Sequence, residues 1–232
     1  EFTFGIYMEK LLNKPILLIK TSWGGRSLIT DFRPPSAGPY VWSDYEVKKR
    51  KERREDVEKQ KAEKIKATGA SYRMMIEHAK KVLADIKRVV PEYDPNQGYE
   101  VAGFVWFQGF NDLVSTWTYE KYNQPGGYDM YSTLLADFIR DVRKDLNAPK
   151  MPFVIGVMGL NGSKPPQNEA YFHLAQAAPA ALPEFKGNVA TIYTHPMAQG
   201  GSGNGHYGGN AEVYMDVGEA MGKAMLELLK NK

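Results

Sequence analysis

The sequence contains no cysteine, which excludes disulfides, thiol nucleophiles and cysteine-ligated zinc. No apolar stretch approaches the roughly 20 residues that a membrane span requires. Nor is there a strong charge of one sign. The formal charge is +3, and it is local, because positions 48–66 hold ten Lys/Arg against five Asp/Glu and the rest of the chain is left at −2. That balance argues against a nucleic-acid partner. The four histidines, His78, His173, His195 and His206, are too scattered to suggest a metal site. The glycine-rich run 200–205 does not match a dinucleotide fingerprint, since its third glycine is misplaced. Finally, no serine sits in an evident strand-to-helix turn of the kind that presents a nucleophile.

What is present suits an ordinary globular chain: 232 residues, 43% hydrophobic and 25% charged, enough for one substantial core. One domain over 1–232 is expected. Short aliphatic runs at 15–20, 101–107, 153–158 and 189–193 alternate with helical periodicity. This is the pattern of parallel strands buried on both faces and covered by helices. Ile76, Ala79, Leu83, Ile86 and Val90 mark one amphipathic helix, Tyr131, Leu134, Leu135, Phe138, Ile139 and Val142 a second, and Val213, Val217, Met221, Ala224, Met225 and Leu228 a third. Asn210 followed by Glu212 fits an N-cap for the last. Segment 44–68 differs: few of its positions are aliphatic and most of the rest are charged with mixed sign. It reads as a charged helical insertion, a helix or helical hairpin with a solvated face.

The chemistry is expected where open parallel sheets place ligands, at the carboxyl ends of strands. After the first run comes Thr21-Ser22-Trp23-Gly24-Gly25-Arg26, whose glycine pair lets backbone N–H groups face a ligand without Cβ obstruction. After the second comes Gln108-Gly109-Phe110-Asn111-Asp112. A side-chain amide there can stabilise an oxyanion, although Asn-Asp also serves as a turn or cap. His206 lies in a segment too rich in glycine for a packed core, and a late loop histidine can act as general base. His195, at the end of the last strand, is a second candidate.

Four blocks then fall in order: Leu17 through Gly25, Phe104 through Asp112, Pro152 through Gly156, and His206 through Glu212. Together they resemble the sialate O-acetylesterase and acetylxylan esterase group of SGNH hydrolases, carbohydrate esterase family 6. The resemblance implies a three-layer α/β/α sandwich with a parallel sheet, SGNH- or flavodoxin-like. It implies an acetylated carbohydrate as substrate, no cofactor, no metal, and a secreted or periplasmic location. It assigns an oxyanion-stabilising N–H to Gly25 (or Gly24), a side-chain amide to Asn111 and the general base to His206. Gln108, Gly24, Trp23 and Trp106 would line the substrate site.

The chain departs from that pattern twice. The block bearing the nucleophilic serine is absent and is expected upstream of Glu1, so the domain is expected to be incomplete at its N-terminus. A further polypeptide segment would then complete the sheet between the 15–20 and 101–107 strands. The acid usual three residues before the histidine is Gly203 here, which leaves Asn204, a carbonyl, a carboxylate elsewhere or a serine–histidine dyad as alternatives. Two other readings stand beside the esterase: a catalytically dead module that binds acylated sugar, and a structural or assembly subunit that works through its charged insertion.

Overall fold

The computed structural model describes residues 1–160, 164–198 and 207–231. In chain order the elements are α1 (Phe2–Leu12), α2 (Asp44–Glu52), α3 (Val57–Ala67), α4 (Ala70–Ala84), β1 (Phe104–Trp106) and α5 (Phe110–Leu113). There follow α6 (Asp129–Asp145), β2 (Phe153–Val157), α7 (Gln167–Ala177), β3 (Val189–Tyr193) and α8 (Ala211–Lys230). The strands form a parallel sheet in the order β1-β2-β3, with Val105 opposite Val154 and Ile155 opposite Thr191.

The period of two along β2 explains the layers. Phe153 and Ile155 enter one hydrophobic cluster and Val154 the other, and all three are at 0% exposure, so both faces are covered. On the first face α6 and α4 pack through aromatics. Phe138 meets Tyr72 at 5.6 Å, Trp106 at 4.4 Å and Phe104 at 5.9 Å between ring centres. On the second face α8 lays Val213, Val217, Met221 and Met225 over Val154, with Val105 and Ile192 at the margin. Helix α1 covers α8 from outside: Met8 joins that cluster, and the Thr3 hydroxyl donates to the Tyr214 carbonyl at 2.9 Å. The result is the α/β/α sandwich that the periodicity predicts.

Three boundaries differ from the sequence-based expectation. Residues 15–20 form no regular element and pair with no strand among the described residues, and Leu17 and Leu18 are 41% and 38% exposed. Apolarity can nominate a strand, but only a neighbouring backbone makes one. The 101–107 run contributes only three paired residues, 104–106. The helix expected through Val90 breaks at Asp85, where φ is −145°, and resumes as a single 3-10 turn at Ile86–Arg88. Helices α6 and α8 lie where expected, and the Asn210 side chain accepts from Glu212 N at 2.9 Å as the N-cap.

The charged segment forms two helices, α2 and α3, each capped by its own side chain: Ser43 accepts from Glu46 N and Asp56 from Lys59 N. It docks without an aliphatic face. Arg50 bonds Glu46, Glu55 and Gln60, and its guanidinium lies 5.2 Å from the Trp42 ring and 5.7 Å from that of Trp117. Arg53 covers Trp117 at 4.3 Å and Lys64 covers Tyr40 at 4.4 Å. Cation–π contact and buried stems do here what leucines do elsewhere.

Because Phe138 is at 0% exposure among four aromatic rings, Phe138→Ala should destabilise the chain by about 3–5 kcal/mol in urea denaturation. Leu174, 64% exposed, provides the control: Leu174→Ala should stay within about 0.5 kcal/mol.

Candidate active site

Past Trp106 the chain leaves the sheet and turns into α5, carrying Gln108, Asn111 and Asp112 at the carboxyl end of β1. Asp112 is at 0% exposure and accepts four hydrogen bonds. They come from Leu28 N at 2.7 Å, Ile29 N at 3.1 Å, the Tyr119 hydroxyl at 3.0 Å and Gln108 Nε2 at 2.8 Å. Burial raises its pKa, against the pull of these four donors. The carboxylate ties the turn after Ser27 to the end of β1, across more than eighty residues of sequence.

The tie brings the glycine turn to the motif. The Arg26 carbonyl accepts from Gln108 Nε2 at 3.0 Å and from Asn111 Nδ2 at 3.3 Å, so Gly24 and Gly25 stand directly before the residue that both amides hold. Gly25 has φ +72°, a left-handed conformation that favours glycine, and a Cβ at either glycine would meet nothing within 4 Å. Among the described residues, the backbone N–H groups of the pair make no backbone hydrogen bond. Asn111 keeps its second N–H beyond the one that faces Arg26. Gln108 is committed further, for its Oε1 lies 3.3 Å from the Tyr131 hydroxyl.

Helix α7 closes the neighbouring strand ends. Gln176, at 0% exposure, donates from Nε2 to the Gln108 carbonyl at 3.0 Å and accepts at Oε1 from Met158 N at 3.0 Å. Toward β3, His173 stacks on His195 at 5.2 Å and 17°, and its Nε2 lies 3.4 Å from Glu169 Oε1, an ion-pair distance without hydrogen-bond alignment. Glu169 is 1% and His173 4% exposed. His195 follows Thr194 at the end of β3, and its backbone packs so closely on Gly159 that a Cβ there would overlap it. Tyr207 anchors the return of the chain, its hydroxyl accepting from Gly159 N at 3.1 Å and lying 2.7 Å from Thr194 Oγ1.

Of the residues that the sequence nominates, the structure brings Gly24, Gly25, Gln108 and Asn111 together. Trp23 flanks them, 37% exposed, with its ring 6.0 Å from Phe32. Trp106, expected at the substrate site, instead sits in the core at 4% exposure, its indole N–H donating to the Tyr131 hydroxyl at 3.2 Å. Even-numbered positions of β1 face the α4 and α6 side of the sheet, and that parity places Trp106 in that core beside Phe104 while Val105 faces α8. His206 lies outside the described residues. Ser27 is committed to a turn, its hydroxyl 3.1 Å from Asp31 Oδ2 and accepting from Thr30 N. An open hollow of about 610 Å³ on α2, lined by Asp44, Val47, Lys48, Lys51 and Glu52, holds none of these residues.

A family model described as carbohydrate esterase, sialic acid-specific acetylesterase, matches residues 1–227. The chain belongs to that family. No curated protein and no solved structure gives a match that adds to this. The family is one of carbohydrate acetylesterases. Sequence reasoning assigned no role to Asp112, Gln176 or Glu169. The Asn-Asp pair and the Glu169/His173 spacing of four were the available signals, and neither reveals burial.

Two outcomes are expected. Asp112→Ala strands two backbone N–H groups and two side-chain donors, so it should cost about 3–5 kcal/mol in urea denaturation. The second concerns His195, whose pKa is lowered from 6.5, first by burial and then by His173. Folding therefore favours its neutral ring. The associated stability is complete above 6.5 and is lost as pH falls from there through the lowered folded value. Stability followed against pH should decline below about 6.5, and His195→Gln should flatten that decline.

Proposed function

We propose that this chain is the oxyanion and base side of a carbohydrate O-acetylesterase of sialate or xylan type, with the nucleophilic serine supplied by a segment upstream. The observation that carries the reading is the junction of the Gly24-Gly25 turn with Asn111 at the carboxyl end of β1, through the Arg26 carbonyl. Two features support the upstream segment. Among the described residues β1 pairs only with β2, and the apolar 15–20 run has no ladder of its own. A strand between the two would satisfy both edges.

In the reaction the serine oxygen attacks the acetyl carbonyl while His206 takes its proton. The carbonyl oxygen becomes an oxyanion, held by Gly25 N–H, by the second N–H of Asn111 and by the serine's own N–H. The histidine then gives its proton to the departing sugar oxygen. Water, deprotonated by the same histidine, then attacks the acyl carbon, the bond to the serine oxygen breaks, and the histidine returns its proton to that oxygen as acetate leaves. Asp112 takes no proton; it holds the Leu28–Ile29 turn on which the geometry of Gly25 depends.

The test is acetyl release from an aryl acetate, from acetylated xylan and from acetylated sialic acid. The polypeptide extended upstream should hydrolyse acetyl esters and the isolated chain should not. In the active form Asn111→Ala should lower turnover about a hundredfold with the fold intact. His206-dependent hydrolysis by the isolated chain would relocate the nucleophile to Ser22, Ser27 or Ser202. Unchanged turnover in Asn111→Ala would remove that amide from the mechanism.

A further inference from the structure

Most cations that touch aromatic rings in this chain are also met by an acceptor. Arg50 lies against Trp42 and Trp117 and pairs with Glu46 and Glu55, Arg140 lies against Phe185 and pairs with Asp137 and Glu184, and Lys49 lies against Tyr45 and pairs with Glu52. Arg53 is different. It is exposed, its guanidinium lies 4.3 Å from the centre of the Trp117 ring, and among the described residues its side chain makes no hydrogen bond and no ion pair. Lys64 also lacks a polar partner, but it is half-buried against Tyr40 and Trp42. A ring attracts a cation without cancelling its charge, so the Arg53 guanidinium keeps its forked N–H donors for an oxyanion.

This cation is also held in place from both sides. Helix α2 ends at Arg53 in a tight turn: its N–H donates to the Lys49 and Arg50 carbonyls, and Glu55 N closes on the Arg50 carbonyl at 3.0 Å. Arg54 takes φ +58° to complete that turn, a left-handed conformation uncommon outside glycine. The ring beneath is equally fixed. Trp117 lies in the loop that leaves α5, where Ser115 N donates to the Asp112 carbonyl at 3.1 Å and Tyr119 N to the Ser115 carbonyl at 3.0 Å. The Tyr119 hydroxyl, on the same loop, donates to the buried Asp112 carboxylate at 3.0 Å. Trp117 thus belongs to the locked segment that begins with Asn111 and Asp112, and its six-residue separation from Asn111 spans at most about 20 Å even fully extended. An unneutralised guanidinium is therefore fixed to the same loop as the amide of the site.

We propose that Arg53, carried by the charged hairpin and seated on Trp117, is a specificity-determining residue that binds the carboxylate of an acidic sugar whose acetyl ester is cleaved at this site. The fork of the guanidinium matches the two carboxylate oxygens, and the ring beneath it pre-organises the side chain so that little freedom is lost on binding. A neutral sugar gains nothing from this contact. Of the two substrate types, the sialate is the one that carries the group Arg53 reads. The inference rests on the reading of the site as that of a carbohydrate acetylesterase.

The test is steady-state hydrolysis by the polypeptide extended upstream, using acetylated sialic acid and its methyl ester, which bears the same acetyl group without the negative charge. The unaltered protein should favour the acid about tenfold in kcat/KM, and added salt should erode that preference. Arg53→Gln should bring the ratio close to one, chiefly through KM for the acid, and Arg53→Lys should restore part of it. Lys59→Gln removes a positive charge from an exposed position of the same hairpin and should leave the ratio where it stands. A second measurement needs no turnover: in calorimetric titration with unacetylated sialic acid, Arg53→Gln should weaken binding about tenfold. A ratio near one in the unaltered protein, or a ratio indifferent to Arg53→Gln, overturns the role of Arg53 while the esterase reading stands. If no acetyl ester is hydrolysed but sialic acid binds through Arg53, the esterase reading falls and the anion site remains; if neither occurs, both fall.

Discussion

The buried carboxylate of Asp112 is the constraint on which the site depends. A carboxylate at 0% exposure is costly unless nearly every lone pair is satisfied, and here four donors from three parts of the chain converge on it. Two of those donors are consecutive backbone N–H groups, so the turn that carries them has almost no freedom to rotate. That turn follows the two glycines, and so rigidity at Leu28 and Ile29 is transmitted to Gly25 through three peptide units. The motif contains its own foundation: Asn111 bonds the turn at the Arg26 carbonyl and its neighbour Asp112 is buried beneath it.

The same logic explains what the sequence could and could not disclose. Strands β2 and β3 were legible because burial on both faces leaves a continuous apolar run, and α6 and α8 because one helical stripe repeats through several turns. The 15–20 run looked identical to these by composition, yet it is unpaired among the described residues, since pairing is decided by a partner far away in sequence. At the site, position after a strand was enough to nominate Gln108 and Asn111. It misplaced Trp106, where strand parity and not proximity to the motif sets direction. Glu169 and Gln176 were invisible for another reason: a polar residue on an amphipathic helix reads as solvent-facing, and only the packed strand ends reveal that this stretch of α7 is buried.

The charged hairpin shows a comparable inversion. Its composition argued for a solvated surface, but Arg50, Arg53 and Lys64 spend their charge on the faces of Trp42, Trp117 and Tyr40. Burial lowers the pKa of Lys64 accordingly. A helix pair poor in aliphatic residues can therefore be fixed to a domain, provided that the domain supplies aromatic rings at the right place.

The Gln176 amide sets the position of an entire helix. The two strand ends offer it groups of opposite kind, an acceptor at the Gln108 carbonyl and a donor at Met158 N, and an amide is the side chain that answers both at once. A carboxylate would accept from one and repel the other; a lysine would do the reverse. The contact is therefore polarised, and it indexes α7 against the sheet the way a key indexes a shaft. Slipping α7 by one residue, about 1.5 Å along its axis and a hundred degrees around it, would break both bonds together. Whatever α7 presents to the strand ends, Glu169 and His173 included, is delivered at a fixed height and angle by a neutral group that no change of pH can switch.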